Sequence, residues 1–219
     1  MHWLEDVQAK LNCRVERRGH DQWGVRKIVF LYTDDSLEEG FRLPFWYEWK
    51  DTLEPIFQAL NIDASRVVRC LLAGLPPGSV IPRHHDRGEW VKYTHRIHLP
   101  VITNATKVKF WVGFGKSAKE MFRFKFEAGE ALELNNIAEH CVKNFWHHER
   151  VHLIFDHVDS DEHMPVMKDL AAGSLLTQDI VRKCGWQPVK IDASEKSSSE
   201  STVCSNSGNL TEKAAVVQG

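Results

Sequence analysis

The sequence predicts a mainly β fold, a sandwich or barrel with helices packed around it. Three observations lead there. Eight short segments of strand-like composition fill the middle of the chain. They recur at intervals of roughly 8–12 residues, the spacing of antiparallel β architectures. Turn signals such as LPPGS (75–79), TNAT (103–106) and EAGE (127–130) separate them.

The opening, MHWLEDVQAKLN, is amphipathic and acidic, which predicts an N-terminal helix rather than a secretory leader. VRKIVFLYT (25–33) is the first strand. RLPFWYEWKDTLEPIFQAL (42–60) places Phe45, Trp49, Leu53, Ile56, Phe57 and Leu60 at helical spacing, with Pro55 inside as a kink site. The remaining strands are RVVRCLLAGL (66–75), THRIHLPVIT (94–103), KVKFWVGF (107–114), MFRFKFEA (121–128), EALELNN (130–136), HCVKNF (140–145) and RVHLIFDHV (150–158). MPVMKDLAAGSLLTQDIVRKCG (164–185) has helix-forming composition, divided at Gly173 and Ser174 and stopped by Gly185. From about Asp192 the chain is serine-rich and poor in large apolar residues, so it lacks the surface to offset its ordering entropy. The predicted organisation is therefore a β domain over residues 1–160, a helical appendage over 161–191 and a disordered tail over 192–219.

Acidic and basic residues nearly balance, for a formal net charge of -2, which argues against a nucleic-acid partner held by bulk charge. No apolar run is long enough to span a bilayer. The five cysteines are scattered and lack CxxC spacing, which argues against a disulfide framework or a zinc ribbon and favours a reducing, cytoplasmic setting.

One segment carries more chemistry than a strand needs. IPRHHDRGEWVKYTHRIHLP (81–100) holds four of the twelve histidines, with Asp86 and Arg96 among them. On a strand, residues two apart share a face, so His84 and Asp86 can converge while His85 turns away. An imidazole and a carboxylate so placed are two-thirds of the two-histidine, one-carboxylate set that suits non-haem Fe(II). His140, in NNIAEHCVKN, is the candidate third ligand. Arg150 and His152 share one face of the last strand, while Val151, Leu153 and Phe155 share the other. An inward arginine needs an anion, and its planar fork fits a carboxylate, so a small dicarboxylate cosubstrate is a sensible occupant. Thr94, Arg96 and His98 repeat this arrangement one strand earlier. Arg87, Trp90, Asn135 and Asn136 adjoin these positions and are candidates for reading a substrate's head group. Trp90 reads equally as core, and the asparagine pair equally as a turn.

The pieces IPRHHD, HRIHLPVITN, AGEALELNN, EHCVKN and ERVHLIFD, in this order, resemble the aspartyl/asparaginyl β-hydroxylase family, which includes bacterial proline hydroxylases. The resemblance covers roughly residues 66–157. It implies a double-stranded β-helix (jelly-roll, cupin-like) core and an Fe(II)- and 2-oxoglutarate-dependent dioxygenase. Such an enzyme hydroxylates an amino-acid side chain, free or as an Asp/Asn-type residue in a peptide, uses O2 and releases succinate and CO2. Carried over by residue, it implies that His84, Asp86 and His140 bind iron, that Arg150 pairs with the far carboxylate of 2-oxoglutarate, and that Arg96 and His98 help hold the cosubstrate. Two departures stand out. Animal members lack a metal-binding carboxylate where Asp86 stands, which draws this chain toward the branch acting on free amino acids. They also use a serine toward 2-oxoglutarate where this chain has Ala73. The alternative is a non-catalytic cupin-like module that binds a metal or a small acid. The arginine ten residues after His140 separates the two, since a plain metal binder has no need of it.

Overall fold

The computed structural model describes residues 22–170. The expected N-terminal helix, most of the helical appendage and the tail lie outside the described residues. The eight expected strands are all present: β1 (Arg26–Thr33), β3 (Val67–Leu75), β5 (His95–Ile102), β6 (Val108–Gly113), β7 (Met121–Phe124), β8 (Leu132–Leu134), β9 (His140–Asn144) and β10 (Arg150–His157). Three more join them: β2 (Glu39–Arg42), β4 (Val80–His84) and β11 (Val166–Asp169). Two helices are described, α1 (Pro44–Ala59) and the single turn α2 (Trp90–Tyr93).

The strands form two sheets, one ordered β11-β2-β1-β3-β10-β5-β8 and the other β4-β9-β6-β7. Every pairing is antiparallel except β11 on β2. This two-sheet jelly roll is the mainly β fold that the sequence predicts. β11 corrects one expectation: the start of the stretch expected as helix adds a parallel strand to the edge of the large sheet instead. Its Val and Met satisfy a β edge as readily as a helix, and the exposed edge of β2 supplied the partner.

Strand alternation divides the core into two layers. Ile28, Phe30, Leu72, Leu153 and Phe155 point to the outer face of the large sheet and pack on Phe45, Trp46, Leu53 and Phe57 of α1. Pro44 starts that helix at a position whose N–H would be unsatisfied anyway, and the helix runs on past Pro55. The opposite face meets the small sheet through Val25, Ala73, Leu75, Phe110, Phe126 and Val142. Polar residues interrupt this second layer, and they define the site.

Candidate metal centre

β4 is the edge strand of the small sheet, and its last residue, His84, lies directly opposite His140, the first residue of β9. Register alone therefore brings together two histidines far apart in sequence. Their ring centroids are 4.3 Å apart. Asp86 follows just beyond the end of β4, so the loop rather than strand alternation aims it. Its backbone N–H donates to the Asn136 carbonyl at 2.9 Å. Gly88, at φ +118, lets that loop turn tightly; a Cβ there would come within 2.7 Å of the Trp90 ring.

One ligand atom from each of His84, Asp86 and His140 lies within 4.8 Å of the others. Both histidines are oriented from behind. Nδ1 of His84 meets the Pro82 carbonyl at 2.7 Å, and Nδ1 of His140 meets that of Ala138 at 2.9 Å. With Nδ1–H donating, each Nε2 keeps its lone pair for a ligand, which is how metal-binding imidazoles are held. Burial pushes His140 down to about 4, which keeps its ring neutral at neutral pH. These residues fit a divalent cation, with coordination positions left open.

Behind Asp86 stands Arg96. It donates to Asp86 Oδ2 and forms a two-pronged pair with Asp156, at 2.7 and 2.9 Å. Burial alone would lower the Arg96 pKa, but the Asp156 and Asp86 carboxylates outweigh it and raise it. Trp90 is fully buried beneath this guanidinium, its ring 4.7 Å away. Arg96 was expected at the cosubstrate. It lines the cavity, with its fork taken up by the Asp86 and Asp156 carboxylates. Trp90, a candidate substrate reader, is core.

Arg150 differs. It is 3% exposed, and among the described residues no carboxylate lies within ion-pair distance of it. Its Nη2 donates to His152 Nδ1 at 2.6 Å, while Nε has no hydrogen-bond partner. Burial lowers it to about 9, so it remains a cation at neutral pH. His98 is buried between Phe110, Phe126 and His152, and neither of its ring nitrogens has a partner among the described residues. Burial pushes both His98 and His152 well below the usual histidine range. One cavity between the sheets is lined by His84, Asp86, His140, His98 and Arg150 together with Ala73. Unpaired donors at its far end are costly in a folded core and fit an anionic ligand.

The remaining candidates stand elsewhere. Arg87 is exposed. Asn135 is exposed and caps its own turn, accepting from the Ile137 N–H at 3.1 Å. Asn136 is buried and, with Asn135, lines a separate cleft beside His95 and Asp159. His147 and His148 lie exposed before β10. Two cations in the cavity lining went unread in the sequence, Lys27 and Arg69, 3% and 2% exposed. The Arg69 guanidinium stacks between Trp90 and Tyr32, at 4.0 and 4.6 Å. In VRKIVF and VVRCLL both look like ordinary breaks in apolar strands; only the inward phase of the alternation marks them.

Fold and site together define a jelly-roll protein with a two-histidine, one-carboxylate set facing the space between its sheets. Residues 48–159 match the model of the aspartyl/asparaginyl beta-hydroxylase family, about half of the chain, and the chain belongs to that family. It is thereby an oxygenase of the hydroxylase type. Among solved structures, a 2OG-Fe(II) oxygenase family oxidoreductase from Burkholderia pseudomallei is similar over 75% of this chain and 82% of its own, at 14% identity and a TM-score of 0.48. A cupin domain from Bordetella pertussis Tohama I is similar over 45% of this chain and 88% of its own, at 17% identity and a TM-score of 0.32. A predicted oxalate decarboxylase from Thermotoga maritima covers 47% of this chain and 73% of its own, at 15% identity and a TM-score of 0.31. No curated protein sequence matches the chain. No helix among the described residues is long and apolar enough to cross a membrane.

Proposed function

We propose that this chain is an Fe(II)- and 2-oxoglutarate-dependent dioxygenase that hydroxylates an amino-acid side chain, free or as an Asp/Asn-type residue in a peptide, with release of succinate and CO2. The observation that carries this reading is the pairing, in one cavity, of the His84, Asp86 and His140 ligand set with a buried arginine that meets no carboxylate among the described residues. Iron and 2-oxoglutarate, when bound, supply the oxygen activation and the oxidative decarboxylation. The chain's residues do the rest. His84 and His140 present Nε2 because backbone carbonyls hold Nδ1. Asp86 presents the oxygen that Arg96 does not take, its other oxygen held by that guanidinium. Arg150 receives the far carboxylate of the cosubstrate, and its hydrogen bond to His152 fixes the direction of its fork. Phe110, Val142, Leu71 and Ile154 keep water from the space between.

The test is anaerobic. Fe(II) is added to the apo-protein, then 2-oxoglutarate, and the visible charge-transfer absorption of a chelated keto acid is recorded. The band is expected in the wild type and lost in Asp86→Ala. An iron-loaded, folded protein that gives no band overturns the reading in favour of a non-catalytic metal-binding module. Succinate release over a panel of amino acids and peptides then identifies the substrate.

A further inference from the structure

The far end of the cavity holds a second cation. Val25, just before β1, and Lys27 and Val29 within it share the inward phase, and all three line the cavity. Their alternates Ile28 and Phe30 pack outward against α1. Lys27 is 3% exposed, on a strand face otherwise held by valines. Register fixes what stands beside it. Lys27 pairs with Ala73 on β3, and Ala73 pairs with His152 on β10. The three residues form one row across the large sheet, on the face that looks into the cavity. His152 is the residue that accepts the hydrogen bond from Arg150. Lys27 and Arg150 therefore flank the same space from opposite sides. Ala73 lies between them and contributes a methyl group, which brings no donor and leaves room for a ligand.

We propose that Lys27 is a second cation for the far carboxylate of the cosubstrate, sharing it with Arg150 across Ala73. This rests on the reading of the site given above. A carboxylate has two oxygens. The planar fork of Arg150 engages it from the β10 side and the flexible ammonium of Lys27 from the β1 side, as a point charge. The metal-binding histidines lie on the opposite sheet, so Lys27 acts on the tail of the keto acid and not on its chelating head.

Two keto acids separate tail from head. 2-Oxoglutarate carries the far carboxylate; 2-oxobutyrate has the same head without it. Iron(II)-loaded protein under argon is titrated with each, and binding is followed by calorimetry and by the charge-transfer band. Lys27→Met is the first variant, since a methionine fills the same space without a charge to bury; Lys27→Gln is the second. Melting temperature reports that each is folded. In either folded variant, 2-oxoglutarate binding is expected to weaken about 10- to 100-fold, as for loss of one charged hydrogen bond, with 2-oxobutyrate binding unchanged. Equal weakening toward both acids, or no weakening toward either, overturns the proposal. Arg150→Met is run beside them. If it loses 2-oxoglutarate while the Lys27 variants bind like wild type, only the assignment of Lys27 falls. If wild type itself fails to bind 2-oxoglutarate, the reading of the site falls with it.

Discussion

Arg96 and Arg150 are both buried arginines facing one cavity, on neighbouring strands of one sheet, yet their surroundings are opposite. Arg96 is enclosed by Asp156 and Asp86. Arg150 has His152 and, among the described residues, no acid. The Arg96 side chain is 10% exposed and Arg150 3%, a difference too small to account for the contrast. What distinguishes them is the anion: the chain itself supplies two carboxylates to Arg96 and, among the described residues, none to Arg150. A buried cation whose partners are protein carboxylates is accounted for by the fold, and one without them points to a ligand.

The sharpest way to break this contrast is to remove the shared acid. Asp156→Ala leaves Arg96 buried with half its partners, and we expect a loss of about 3–5 kcal/mol in unfolding free energy, measured by denaturant titration. Acid probes both ends together. His140 at the metal end, and His98 and His152 at the far end, are held neutral by burial. Below about pH 6.5 the unfolded chain takes up protons on these residues that the folded chain refuses. Their folded pKa values are depressed, so stability falls as pH drops from about 6.5 toward 4. The loss is about 3 kcal/mol counting His140 alone, and it should appear as a falling melting temperature of the apo-protein across that window. Arg150→Met sharpens the contrast from the other side. The apo-protein should be no less stable than wild type, because an uncompensated buried charge is removed. 2-Oxoglutarate affinity should fall about 100-fold, read by calorimetry. A destabilised Arg150→Met protein would show that the two arginines are alike after all. The smallest effect is expected at the turn. Asn135→Ala loses one partly exposed hydrogen bond, worth about 1 kcal/mol, and should leave metal affinity unchanged.

Much of this was legible in the sequence because strand alternation is local. The eight strands from VRKIVFLYT to RVHLIFDHV could be read segment by segment, and so could the inward phase of Arg150 and His152. The three strands that went unread are short or lack a clear pattern. EGFR carries a glycine, VIPRH a proline, and VMKD contains residues equally at home in a helix. The enclosure of Arg96 by carboxylates could not be read, because Asp156 reaches it only through the pairing of β10 with β5. His84 and Asp86 do converge, but not by strand alternation: His84 ends its strand and Asp86 arrives by a loop. Lys27 was hidden by its neighbour Arg26, since two adjacent charges look like a solvated edge until the strand's partners are known.

The pairing of His84 with His140 also has a kinetic side. Residues 85–139 separate them, and that interval contains β5, β6, β7 and β8. A contact of such long range is made late, after the loop between its ends has been closed and ordered. As the chain emerges from the ribosome, His84 and Asp86 wait through the synthesis of four strands before the third ligand exists. A nascent chain thus offers only part of the ligand set until the small sheet has zipped. The ligand set is therefore a product of the finished sheet and not of any one stretch of chain.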